Sequence, residues 1–315
     1  MRQIIKTSAL LLLAALAVGC GRSDGRMLMV QAIYQERTEE GVSLCLMCAD
    51  SEPSANAGEA QVKQLAVSGE GATLQAAWRM VEKNTGQKLF LEQCRAWLLG
   101  KGAAGRLTDE DAAFWTQQDH GCAGMPVWGV DLAPEDAQTA AEQGEVLLNS
   151  LDHQTEQTGQ SGTPAYQLTR SLWELPCVSV DEGGVAQFDV LRLYRDGETV
   201  LAWDAEQHPL IQWMQGDARR VEIGPADAPV IIQWPAAAWS REDQALVLTL
   251  SGTPQQELSA RQRAELEGEL EAAVDEQLRR TLEAGADVFG VKDRRSLLGG
   301  GDELRVKVHL NGTDR

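Results

Sequence analysis

Basic residues are scarce in this chain of 315 residues. It carries 28 lysines and arginines against 47 aspartates and glutamates, and its formal net charge at pH 7 is −19. Nucleic acids and anionic bilayers attract concentrated positive charge, so this balance excludes nucleic acid as a partner and disfavours membrane binding through a basic patch. The apolar fraction of 43% is ordinary for globular proteins and excludes wholesale disorder, while the length allows two or three domains.

The sequence also lacks the motifs on which most enzymes depend. It contains no H-E-x-x-H, no G-x-S-x-G and no Walker loop, and Gly69-Glu70-Gly71 lacks the third glycine of a dinucleotide fingerprint. We therefore expect no catalytic residues, no cofactor and no metal. We interpret the acidic residues Asp109, Glu110 and Asp111 as the solvated start of a helix that Thr108 caps. The histidines are scattered, at His120, His153, His208 and His309.

The N-terminus has the pattern of a targeting segment. The basic residues Arg2 and Lys6 precede an uncharged apolar stretch over 9–18, which is shorter than the ~20 residues that span a bilayer. Small residues then precede Cys20, as in a bacterial lipobox, where the cysteine is acylated (for example with palmitate) and becomes the new N-terminus. We predict a lipoprotein signal peptide over 1–19, lipidation of Cys20 and a tether over 20–26. An ordinary secretory signal is the alternative. Processing removes two basic residues and changes the formal charge from −19 to −21.

A C-x-x-C motif at Cys45 and Cys48 raises the question of zinc or redox chemistry. The motif lies in an apolar run typical of a strand, where positions three apart face opposite sides, and no second C-x-x-C completes a zinc site. Redox motifs of this kind begin a helix instead. We interpret both residues as buried structural thiols. Acylation of Cys20 leaves an odd number of thiols, whose pairing the sequence does not fix: Cys45, Cys48, Cys94, Cys122 and Cys177.

The order of predicted elements indicates a mixed α/β or α+β protein of several domains, each with a mixed or antiparallel sheet packed with helices. A segment rich in Gln, Thr, Ser and Gly over 152–164 is the best linker. We predict an N-terminal α/β domain over 27–151, a middle β-rich domain over 165–225 and a C-terminal α/β domain over 226–315. The predicted strands are 27–34, 42–49, 60–67, 88–99, 127–130, 177–180, 185–194, 199–203, 230–234, 245–250 and 304–310. The predicted helices are 74–85, 108–118, 134–148, 207–214 and 259–284.

The last of these helices has the clearest pattern. A capping box begins at Ser259, Gly285 follows its end, and leucines and a valine recur every four residues. We expect this stripe to pack on a sheet, and a partner-binding helix is the alternative. A closing strand over 304–310 alternates apolar and polar residues. The stripe is Leu266, Leu270, Val274, Leu278 and Leu282.

Four segments together resemble the Ger(x)C lipoprotein subunit of bacterial spore germinant receptors. They lie in the family's order and span nearly the whole chain. The segments are the lipobox at Cys20 with the strand Met29–Ile33, the glycine-threonine run Val67–Ala77 with Gly86–Leu91, the strand-turn-strand Phe188–Gly216 around Arg195-Asp196-Gly197, and the long helix leading into Gly285–Gly290 and the last strand.

This resemblance implies a three-domain α/β protein anchored through Cys20 on the outer face of the inner spore membrane. It implies two multi-spanning membrane subunits as partners, and a role without catalysis in which nutrient sensing leads to release of ions and dipicolinate. Two further hypotheses are a substrate-binding lipoprotein of a transporter and a lipid-anchored hydrolase. The first needs two similar lobes, whereas the halves of this chain differ in the order of their elements.

Overall fold

The structure, a computed structural model, describes residues 27–51, 62–116, 123–132, 134–224, 228–298 and 303–312. In these residues fourteen strands form two sheets, and eight α-helices pack on them. The predicted signal peptide 1–19, Cys20, the tether 20–26, His120 and Cys122 lie outside the described residues.

The strands and helices have the following bounds. The strands are β1 Met27–Arg37, β2 Val42–Ser51, β3 Val62–Gly71, β4 Lys88–Phe90, β5 Ala96–Gly100, β6 Pro126–Val130, β7 Thr163–Pro164, β8 Leu172–Val180, β9 Ala186–Arg195, β10 Glu198–Asp204, β11 Arg220–Ile223, β12 Val230–Glu242, β13 Ala245–Pro254 and β14 Leu304–Leu310. The helices are α1 Leu74–Thr85, α2 Lys101–Gly105, α3 Asp109–Thr116, α4 Pro134–Glu142, α5 Gly144–Thr158, α6 His208–Gln215, α7 Ala260–Glu283 and α8 Val291–Leu298.

The first sheet has a parallel centre with an antiparallel meander on each side. Its strands follow the order β10-β9-β8-β6-β5-β1-β2-β3, in which β1, β5, β6 and β8 run parallel. One face packs on α1 and α3 through an aromatic-rich core that includes Trp78, Trp97 and Trp115. The other face packs on α4 and α5, with Leu147 and Leu151 in its core. Sheets buried on both faces need nearly continuous apolar strands, as in Ala96–Gly100, where every residue is buried.

The second sheet has the order β11-β12-β13-β14, and α7 connects β13 to the parallel strand β14. Three residues of the predicted stripe, Leu270, Val274 and Leu278, are buried in the core beneath this sheet. Helix α7 also protects the sheet edge, because Glu271 accepts a hydrogen bond from the backbone N–H of Val308 at 2.9 Å. Exposed edge strands invite pairing with other chains. The prediction that this helix packs on a sheet is confirmed.

Capping residues recognised in the sequence correctly predicted the ends of several helices. Thr73 caps α1 and Gly86 ends it with φ +59°, as predicted. Ser259 forms the predicted capping box with Gln262. The mixed α/β class, the long C-terminal helix and the closing strand are likewise confirmed.

Three element predictions were wrong. The predicted strand over 88–99 is two strands, because residues 91–95 form a turn in which the backbone N–H of Cys94 donates to the carbonyl of Leu91 at 2.8 Å. The predicted helix over 134–148 breaks at Gln143 into α4 and α5. Helix α5 then continues through the first half of the expected linker 152–164 and ends at Gly159. The apolar contacts of α5 come from its first two turns. The later turns of this helix are polar and continue beyond the part that packs on the sheet.

The predicted linker at 152–164 does not separate two sheets. Strands β8, β9 and β10, from the predicted middle domain, continue the sheet that β1, β5 and β6 of the predicted N-terminal domain begin. Residues of β9 and β10, among them Leu193 and Trp203, also share the core of the second sheet. The division of the chain into three domains stays a prediction.

Candidate functional site

The predicted lipidation site lies just before the first described strand. Met27, at the start of β1, is the seventh residue after Cys20. Met27 pairs with Lys88 at the start of β4, and the parallel strands β5 and β6 continue the sheet from β1. The amino ends of β1, β4, β5 and β6 therefore face the same end of the sheet, which we call the tether edge. Strands β5 and β6 begin level with Ala32, five residues further along β1 than Met27.

A pocket of about 350 Å³ lies at the tether edge. This volume is at the lower end of the range for small-molecule sites, about 300–1,000 Å³. The turn between β4 and β5, the entry to β6 and the middle of α5 form its walls. The lining residues are Leu91, Glu92, Cys94, Arg95, Gly124, Met125, Pro126 and Asp152.

The walls of this pocket combine opposite charges with buried apolar side chains. The guanidinium of Arg95 forms an ion pair with Asp152 and reaches Asn149 Oδ1 at 3.4 Å. The backbone N–H of Arg95 donates to the carbonyl of Gln31 on β1 at 2.7 Å, which fixes the backbone at this cation. Leu91 and Met125 are both buried. The pocket thus presents both signs of charge beside an apolar surface.

The opposite edge of the sheet holds a buried carboxylate. Glu36, at the carboxyl end of β1, is 7% exposed, and its Oε1 accepts a hydrogen bond from the backbone N–H of Arg37 at 2.7 Å. The chain after β5 passes so close that a Cβ at Gly100 would lie 2.1 Å from Glu36 Oε2, and one at Gly102 would lie 2.5 Å from Oε1. A Cβ at Gly102 would also lie 2.5 Å from the backbone carbonyl oxygen of Arg37, an approach that only glycine allows, so this glycine lets the carboxylate be enclosed at the start of α2.

The acidic helix start over 109–111 is not fully solvated, which corrects the sequence interpretation. Thr108 caps the helix as predicted, since its Oγ1 accepts from the backbone N–H of Asp111 at 3.2 Å. Asp111 itself is 3% exposed and accepts a hydrogen bond from Arg37 Nη2 at 2.6 Å. The pairing was missed because Arg37 is distant in sequence and adjoins no recognisable motif.

A narrow cleft at the carboxyl ends of β5 and β6 contains four charged groups. Lys101, Asp131, Asp189 and Arg192 line it, and Cys177 lies at its base. Burial raises the pKa of the Cys177 thiol to about 11, against a smaller opposing effect of Arg192. A thiol with this pKa is protonated at neutral pH and is a poor nucleophile. The space inside is about 10 Å³, which is about one water molecule.

The C-x-x-C thiols face opposite sides of the sheet, as predicted. Cys45 lies in the core beneath α4 and α5, and Cys48 lies in the core beneath α1 and α3. Burial raises the pKa of both thiols, that of Cys48 to about 12. Neither geometry nor protonation suits a shared metal ion. Among the described residues no cluster of three metal-ligating side chains occurs.

The segments that carry the family resemblance lie at close contacts between elements of the fold. Helix α1 packs so closely on β3 that a Cβ at Gly69 would lie 2.6 Å from the carbonyl oxygen of Ala77, which explains a glycine there. Asp196 and Gly197 form the predicted tight turn, with φ +51° and +83°. Beside it, Arg195 Nη1 donates to the carbonyl of Ala284 at 3.0 Å. The third and fourth segments of the resemblance are therefore in contact.

Sequence reasoning missed the pocket because its walls come from three separate segments. Its residues are ordinary in type, and the turn over 91–95 was predicted as strand.

Of the histidines in the described residues, only His208 is buried, at 2% exposure. It donates from Nε2 to Gln160 Oε1 and packs on the ring of Phe188.

No helix in the described part of the chain is both long and apolar enough to cross a bilayer. No family model and no curated protein matches the sequence. Among solved structures, the chain is similar to one described as "Crystal Structure of the GerBC protein", at 10% identity and a TM-score of 0.44, over 88% of this chain and 96% of that chain.

Proposed function

We propose that the chain is a non-enzymatic, lipid-anchored subunit of a nutrient germinant receptor. In this proposal it acts in spore germination with two multi-spanning membrane subunits, on the outer face of the inner spore membrane. The observation that carries the proposal is the arrangement of the four resembling segments. They occur in family order, and the third and fourth meet where Arg195 binds the end of α7.

The position of the anchor supports the same proposal. Seven residues at about 3.3–3.6 Å each reach about 25 Å, so acylated Cys20 holds Met27, at the tether edge, within that distance of the bilayer. Bacterial lipoproteins carry at least two acyl chains, which makes the attachment stable despite the chain's negative charge. The two partner subunits supply the membrane-spanning part of the receptor.

The proposal is tested in spores of a strain that lacks the gene, complemented with wild type, Cys20→Ala or the matched control Cys94→Ala. The fatty-acid label and the membrane fraction are measured for each protein. We expect label and membrane association for wild type and Cys94→Ala, and loss of both for Cys20→Ala. Acylation of the Cys20→Ala protein would contradict the anchor, and normal germination of the deletion strain on every nutrient, with no redundant receptor, would contradict the receptor role.

A substrate-binding lipoprotein of a transporter is the second candidate, because the pocket at the tether edge is large enough for a small solute. The two sheets differ in size and topology, which does not suit the paired lobes of that class. A thermal-shift screen with small nutrients separates the two. Saturable stabilisation by one nutrient would favour the transporter protein.

A further inference from the structure

The pocket at the tether edge brings one cation and two carboxylates together over an apolar base. Arg95 and Asp152 pair across it, Glu92 is exposed beside them, and Leu91 and Met125 are 8% and 5% exposed. The Asp152 side chain is 65% exposed, so an incoming group can exchange with the existing ion pair at little cost, since exposed ion pairs contribute little to stability. A ligand that carries an anionic group and an ammonium group satisfies all three side chains.

The location of the pocket indicates where such a ligand comes from. The backbone N–H of Arg95 on the pocket wall donates to the carbonyl of Gln31, which is eleven residues after Cys20, so the proposed anchor keeps the pocket within about 40 Å of the bilayer. The negative charge of the chain repels anionic lipids, which leaves lipids of zero net charge as the headgroups that this surface can approach.

We propose that this pocket binds the phosphoethanolamine headgroup of a membrane lipid. Arg95 binds the phosphate, and the ammonium N–H groups donate to Glu92 and Asp152, while Leu91 and Met125 contact the glycerol end. The inference rests on the proposed function, because lipid anchoring supplies the proximity. A choline headgroup lacks N–H donors and is therefore discriminated against.

The structure offers a variant that adds bulk at the pocket wall without straining the fold. A Cβ at Gly124, on the pocket wall, meets no atom within 4 Å, and its φ lies outside the left-handed region. Gly124→Leu therefore places a large side chain at this wall. Gly268, on α7, is equally unobstructed and does not line the pocket, so Gly268→Leu is the matched control. Glu92→Gln removes the negative charge that faces the ammonium, by an exposed substitution.

The experiment measures sedimentation of the unacylated mature chain, with Cys20→Ala, together with three kinds of vesicle. One is phosphatidylcholine alone, one contains phosphatidylethanolamine, and one contains phosphatidylglycerol. We expect binding to the ethanolamine vesicles only, about tenfold weaker for Gly124→Leu and for Glu92→Gln, and unchanged for Gly268→Leu. Glycerophosphoethanolamine in solution should compete.

Three results overturn the proposal. They are equal binding to choline and ethanolamine vesicles, undiminished binding by Gly124→Leu with a wild-type melting temperature, and absence of binding to both the vesicles and the soluble headgroup. The chain in this assay carries no acyl group and no partner subunit. Its failure would therefore leave the receptor proposal standing, and failure of the receptor proposal in spores would leave this assay unaffected.

Discussion

Acidification should destabilise the protein through one buried imidazole. His208 is 2% exposed, and burial lowers its pKa to about 4, against 6.5 for an ordinary histidine. As the pH falls, the unfolded chain takes up the proton first, so stability that is complete above pH 6.5 is lost between pH 6.5 and 4. Within this interval the free energy of unfolding falls by about 1.4 kcal/mol for each pH unit. Between pH 7 and pH 5 it falls by about 2 kcal/mol in total.

The assay is urea unfolding at pH 7 and pH 5, compared between wild type and His208→Gln. The variant has no imidazole at this position and should lose about 2 kcal/mol less than wild type over this interval. Partial burial raises the pKa of Glu174, which acts with opposite sign and favours the folded state at low pH, but this effect is common to both proteins and cancels in the difference. His309→Gln, at an exposed position, is the matched control. An identical pH dependence in wild type and His208→Gln would refute the reasoning.

Three further predictions concern buried groups elsewhere in the chain. Gly102→Ala should lower the free energy of unfolding by about 1–3 kcal/mol, because its Cβ would lie 2.5 Å from the backbone carbonyl oxygen of Arg37, and an unchanged denaturation midpoint would count against that contact. Asp111→Ala should cost about 3 kcal/mol by removing the buried partner of Arg37, measured by the same unfolding, and a loss below 1 kcal/mol would contradict the pairing. Cys48, with a pKa of about 12, should resist iodoacetamide at pH 8 until urea unfolds the protein, as mass spectrometry of the native sample can check.

Features fixed by neighbours in sequence could be predicted. The cap at Thr73, the capping box at Ser259 and the turn at Asp196 each depend on residues within a few positions. The opposite faces of Cys45 and Cys48 follow from the period of a strand. The stripe of α7 follows in the same way from the period of a helix.

Features made by distant residues could not be predicted. The joining of β8 to β6 in one sheet, across the expected linker, depends on parallel pairing of Gly129 with Cys177. The pocket depends on a turn at 91–95 that the apolar composition of that segment conceals. Similarly, the burial of Asp111 requires the arrival of Arg37 from another strand. No local pattern encodes these contacts.

The most direct test of the receptor role is dipicolinate release from spores of the deletion strain, exposed in turn to single nutrients. Complementation with wild type or with Cys20→Ala follows in the same strain. The account predicts that release fails for at least one nutrient in the deletion strain, returns with the wild-type gene, and stays deficient with Cys20→Ala. Full and equally rapid release in all strains, when no other receptor answers the same nutrient, would contradict it.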